Sequence, residues 1–78
     1  MPTILRVGSY RFYFYSSGGD EPMHVHVQSG DNVAKFWLAP VLRERSGGFA
    51  PAELRRIETL VSEHQLELME AWNAHFNG

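Results

Sequence analysis

The chain has 78 residues, seven basic and nine acidic, with a net charge of −2 and no cysteine. A chain this short holds one hydrophobic core, and the missing cysteines exclude a disulfide scaffold, a thiolate zinc site and a thiol nucleophile. An apolar share of 44% and a charged share of 21% are those of a folded globular domain, and the negative balance excludes a generally basic nucleic-acid binder.

The first hairpin is predicted over Ile4 to Val7 and Tyr10 to Tyr15, both rich in β-branched and aromatic residues. Gly8-Ser9 between them suits a type II′ turn, because glycine takes a positive φ without strain. That turn pairs Val7 with Tyr10, Leu5 with Phe12 and Ile4 with Tyr13. Side chains alternate along a strand. One face then carries Leu5, Val7, Tyr10, Phe12 and Phe14, and the other Ile4, Arg6, Arg11, Tyr13 and Tyr15.

Residues 16–22 form a polar loop. A second hairpin is predicted over His24 to Gln28 and Asn32 to Trp37, with Gly30-Asp31 as its two-residue turn. This register sets Val27 against Ala34 and Val25 against Phe36 on an apolar face. It sets His26 against Lys35 and His24 against Trp37 on the other.

Residues 39–49 read as a connector, broken by Pro40 and by Ser46-Gly47-Gly48. A single helix is then expected from about Pro51 to about Phe76. Pro51 suits the first helical position, and Glu53 complements the helix dipole. Ala50 supplies no side-chain cap. Leu54, Ile57, Val61, His64, Leu68, Trp72 and His75 recur at three and four, an amphipathic stripe with Leu66 outside it. The expected fold class is α+β: a four-stranded antiparallel sheet of two hairpins, covered on one face by one long helix. Twenty-six helical residues span about 39 Å. Strands of five or six residues span about 17–20 Å. Trp72 and Phe76 are therefore expected to overhang the sheet.

Charge is divided along the chain. Residues 1–48 hold five cations against four carboxylates, and residues 49–78 hold two against five. No apolar run reaches the roughly 18–20 residues of a membrane span. Met1-Pro2-Thr3 does not open a secretory signal, so a cytoplasmic location and no membrane partner are expected.

The candidate binding residues are Arg6, Arg11, Tyr13, Tyr15, His24, His26, Lys35 and Trp37 on the uncovered sheet face, with Trp72 and Phe76 at the helix end. Aromatic and arginine residues are enriched at protein interfaces, and the same mixture on a sheet serves single-stranded nucleic acids. His24 and His26, two apart on a strand, point the same way and are the candidate acid–base pair. A metal site wants a third protein ligand; Asp20 and Glu21 are near in sequence, while His64 and His75 would have to come from the helix on the other face, and no metal site is assigned. The catalytic and nucleotide motifs H-E-x-x-H, G-x-S-x-G and the phosphate-binding glycine loop are absent, and no cofactor is expected.

The opening Met1-Pro2-Thr3-Ile4-Leu5-Arg6, the run Tyr10-Arg11-Phe12-Tyr13-Phe14-Tyr15-Ser16, the stretch Glu21-Pro22-Met23-His24-Val25-His26-Val27, and Ala34-Lys35-Phe36-Trp37-Leu38 resemble the bacterial domain of unknown function 4160 family. Glu53-Leu54-Arg55-Arg56-Ile57 and Glu70-Ala71-Trp72 fit it too. Met23 departs from a proline usual in the family, and Ala50 from a serine. The resemblance implies a small protein encoded beside another short one, in a layout similar to toxin–antitoxin pairs. It therefore implies a protein-interaction module, inhibitor or adaptor, partnered by the product of an adjacent gene or by itself as a homodimer. The alternative is a small ribonuclease-type toxin or RNA-binding protein using His24, His26 and the cationic face.

Overall fold

The computed structural model describes residues 3–17 and 19–77, so expectations touching Met1, Pro2, Gly18 and Gly78 lie outside it. The chain runs β1 (Thr3–Val7), β2 (Tyr10–Tyr13), β3 (His24–Ser29), β4 (Asn32–Leu38), β5 (Val41–Arg45), α1 (Pro51–Glu63) and α2 (Gln65–Asn77). The class is α+β. Its sheet is antiparallel in the order β1-β2-β3-β4-β5, each strand pairing with its sequence neighbour.

Both hairpin turns form where glycine allows them. Gly8 and Gly30 have φ of 57° and 60°, and no described non-glycine residue has a positive φ, the pattern of two type II′ turns. They fix the register of β3 and β4 as expected: His24 opposes Trp37, Val25 Phe36, His26 Lys35 and Val27 Ala34. In the first hairpin Val7 opposes Tyr10 and Leu5 opposes Phe12, but Thr3 rather than Ile4 faces Tyr13. A bulge between Thr3 and Leu5 shifts the strand by one residue, and Ile4 packs against the core instead. Strand β2 also ends at Tyr13, two residues early.

Two expectations are corrected. The sheet has five strands, because Val41–Arg45 of the supposed connector pairs with β4. It lies at the sheet edge with Leu42, Arg43, Glu44 and Arg45 exposed and only Val41 packed against the core, so it lacks the alternating apolar pattern that marks an inner strand. Nor is there one long helix. His64, with φ −104° and ψ 17°, leaves helical geometry and bends the chain between α1 and α2. The amide of His64 still donates to Leu60 O, and that of Leu68 to His64 O, so the hydrogen-bonded ladder resumes on either side. Beside the bend, Gln65 Nε2 donates to Leu38 O at 2.7 Å and ties it to the end of β4.

The bend decides what the last turns cover. A straight helix of about 39 Å would exceed the molecule's longest dimension, 35 Å. Turned at His64, α2 instead brings Trp72 onto Phe14, with ring centroids 5.3 Å apart, and Phe76 onto Trp72 at 4.2 Å. Trp72 is 4% exposed, and Phe76 closes against the place where Gly19 has no side chain. The expected overhang is absent. His75, placed on the apolar stripe by spacing, is exposed.

The core lies between the helices and one sheet face. Phe12, Phe14, Val25, Val27, Ala34, Phe36 and Leu38 meet Leu54, Ile57, Val61, Leu68 and Trp72, with Phe49 and Tyr10 at the side. Tyr10 donates from its hydroxyl to Glu53 Oε2 at 2.8 Å, joining β2 to the first turn of α1.

Candidate functional site

Alternation sends Arg6, Arg11, Tyr13, His24, His26, Lys35 and Trp37 to the sheet face opposite the core. The pairs Lys35–Arg45 and Trp37–Leu42 extend that face onto β5. The eight predicted sheet residues are therefore contiguous once Tyr15 folds over them from just beyond β2. Trp72 and Phe76 belong to the helix layer, although Trp72 rounds the sheet end and meets His24 edge-on at 4.9 Å.

The face is not simply open. Tyr13, His24 and His26 are buried there. His26 stacks on Tyr13 at 5.5 Å, with Tyr15 tilted over it at 4.1 Å and His24 edge-on at 5.3 Å. Arg11 lies over the Tyr13 ring at 4.5 Å, and Lys35 over Trp37 at 4.7 Å. Arg11 Nη2 also donates to Gln28 Oε1 at 2.7 Å. A second, aromatic and cationic cluster thus stands on the outer face, leaving Tyr15, Trp37 and Leu42 as its accessible apolar parts.

Ser17, Asp20, Glu21, His24, His26, Lys35, Arg45 and Tyr15 line a pocket of about 270 Å³ at the end of this cluster. Lys35 Nζ donates to Glu21 Oε1 at 3.0 Å. That hydrogen bond holds the Glu21 carboxyl below the usual carboxylate range. His24 Nδ1 donates to Pro22 O at 2.9 Å; a carbonyl only accepts, so this nitrogen carries the proton. His26 is depressed from 6.5 to about 4, first by burial and then by His24, Lys35 and Arg45, so it is neutral at pH 7. Its Nε2 is buried without a hydrogen-bond partner. Burial, with Tyr15 beside it, raises the Tyr13 phenol to about 12. Among the described residues no three histidine or carboxylate side chains gather as metal ligands.

Sequence reasoning does not reach Arg45 and Leu42, because their strand reads as a connector. The signal was the bulged alternation of Leu42 and Arg45, legible only once β5 is known to be a strand. No described helix is long and apolar enough to cross a membrane.

No curated protein and no solved structure matches the chain. The family model for the domain of unknown function DUF4160 matches residues 9–73, which include the aromatic run of β2, both histidines, Lys35, Trp37 and most of the helical pair. A match over that much of the sequence places the chain in the DUF4160 family.

Proposed function

We propose that this protein is a small cytoplasmic interaction module, one component of a two-gene pair of the toxin–antitoxin kind or an inhibitor of similar size, and that it holds its partner on the uncovered sheet face. One observation carries the reading. On a five-stranded sheet covered on its other side, Tyr15 and Leu42 stand exposed, 42% and 55%, and Trp37 is half-buried under Lys35, on a face that also carries Arg6, Arg11 and Arg45. Aromatic and arginine side chains on a rigid, preformed surface are what interface centres are made of. The test is co-purification with the adjacent gene product, light scattering of each alone and of the mixture, and growth on expressing each separately. Complex formation lost in Trp37→Ala supports the reading. A protein that stays monomeric and ignores its neighbour overturns it.

A second reading, RNA cleavage, is favoured by the histidine pair in the pocket beside Lys35 and Arg45. A neutral His26 would take the 2′-hydroxyl proton, and His24 as the imidazolium, its Nδ1–H kept on Pro22 O, would give its Nε2 proton to the leaving 5′ oxygen. Asp20 and Glu21 in the same pocket repel phosphate and make this the weaker reading. Single-stranded RNA left intact by the purified protein discards it.

A further inference from the structure

The two edges of the sheet differ in a way that assigns them different tasks. Strand β5 is guarded: Arg43, Glu44 and Arg45 are exposed, and a register shift between its pairs to Lys35 and Phe36 breaks the edge. Charges and bulges of this kind keep other strands from pairing. Strand β1 has one charge, Arg6, and its Ile4, Leu5 and Val7 are only half-buried. The helices pack mainly over β4 and β5, so β1 lies at the margin of their cover, with Ile4, Leu5 and Val7 touching the core from its edge.

Hydrogen-bond alternation shows what this edge offers. Around a two-residue turn the flanking pair, Val7 and Tyr10, exchanges both backbone bonds, and the next pair, Arg6 and Arg11, exchanges none. The N–H and C=O of Arg6 therefore point outward, away from β2. Its side chain lies on the uncovered face directly beside Arg11. Like charges set opposite each other on a sheet repel. Among the described residues no carboxylate pairs with either guanidinium.

We infer that β1 is the docking edge, and that it takes an extended strand of the partner protein with an acidic residue opposite Arg6 and apolar residues on either side. The acid would lie beside Arg6 and Arg11 on the uncovered face. Its two neighbours would fall on the other face and complete the burial of Leu5 and Val7. A second copy of this chain does not fit. Two β1 strands paired about Arg6 would gather four guanidinium groups, and the β5 edge of another copy adds Arg45 on the same face. This inference rests on the interaction reading above and specifies the partner's chemistry.

The probe is a seven-residue peptide of alternating valine and glutamate, with a valine–lysine peptide and a short uridine oligonucleotide as comparisons. Binding is followed by amide chemical shifts of the full chain. The acidic peptide is expected to shift Thr3 to Val7, and to bind at least about tenfold more weakly to Arg6→Glu, which in turn favours the lysine peptide. Arg6→Pro removes the outward N–H while leaving the ladder to β2 intact, and is expected to abolish binding. Shifts confined to β5, equal peptide affinity in Arg6→Pro and parent, or binding of the oligonucleotide alone would each overturn the inference. The adjacent gene product separates the two levels. If it is captured equally by parent and Arg6→Pro, the interaction reading stands and this edge assignment falls. If it is never captured while the peptide still docks on β1, the edge assignment stands without that partner.

Discussion

His26 is a neutral imidazole held against its own chemistry. Its ordinary value is 6.5, and in the fold it falls to about 4, chiefly through burial. The unfolded chain therefore binds a proton between those values that the folded chain refuses, so stability is present above pH 6.5 and lost as pH falls toward 4. Each unit is about 1.4 kcal/mol, so this one group removes roughly 3 kcal/mol across that window. Melting temperature measured from pH 7 to pH 4 should fall in the parent and fall less in His26→Gln; equal slopes would show that another group carries the loss. Phe12, fully buried, gives the contrasting case. Phe12→Ala leaves a cavity at every pH and should cost about 3–5 kcal/mol by urea titration. At this scale the sequence is partly readable. Alternation places both histidines on the outer face, but nothing in the spacing tells that Tyr15 folds back over His26, since Tyr15 lies beyond the last paired residue of β2.

At the scale of elements, legibility follows local causes. Gly8 and Gly30 specify their turns through backbone geometry alone, so the registers of two hairpins are visible in the sequence. Strand β5 is hidden because an exposed edge selects charge over β-branching. The bend at His64 is hidden because no proline or glycine marks it, and its anchor is a bond from Gln65 to Leu38, 27 residues away. The start of α1 was legible in both its strength and its weakness. Ala50 holds the N-cap position with φ −69° and ψ 154°, has no side-chain bond, and is followed by Pro51. Serine is accommodated by that backbone and by the exposure of the site, so Ala50→Ser should add about 1 kcal/mol, read as a higher urea midpoint at an unchanged slope. A lower midpoint would mean that the cap amides are already satisfied.

Taken whole, the molecule has a radius of gyration of 11.5 Å. A compact domain of its length is expected near about 11.5 Å, so the bent helix adds no protruding arm. Trp72 links the parts: it touches Phe14 beyond β2, His24 at the head of β3, and Phe76 one turn on. The sequence points to this tryptophan as an association anchor because a straight helix would expose it. Buried as it is, Trp72→Ala should cost about 3–5 kcal/mol, close to all that a domain of this size has. Loss of the near-ultraviolet dichroism in the variant checks this. A folded Trp72→Ala that merely dissociates from a partner would restore the anchor role.

The strictly sequential strand order also governs how the chain acquires its shape. Each strand meets only the one before and the one after it, so every ladder closes a short loop and little chain entropy is spent before the first contacts form. A polypeptide leaving the ribosome can zip up its sheet one hairpin at a time. The helices that cover the inner face follow the whole sheet in the chain and are synthesised after it. Until they arrive, Phe12, Val25, Val27 and Phe36 stand uncovered, and the nascent domain depends on the chain being carried through to Trp72.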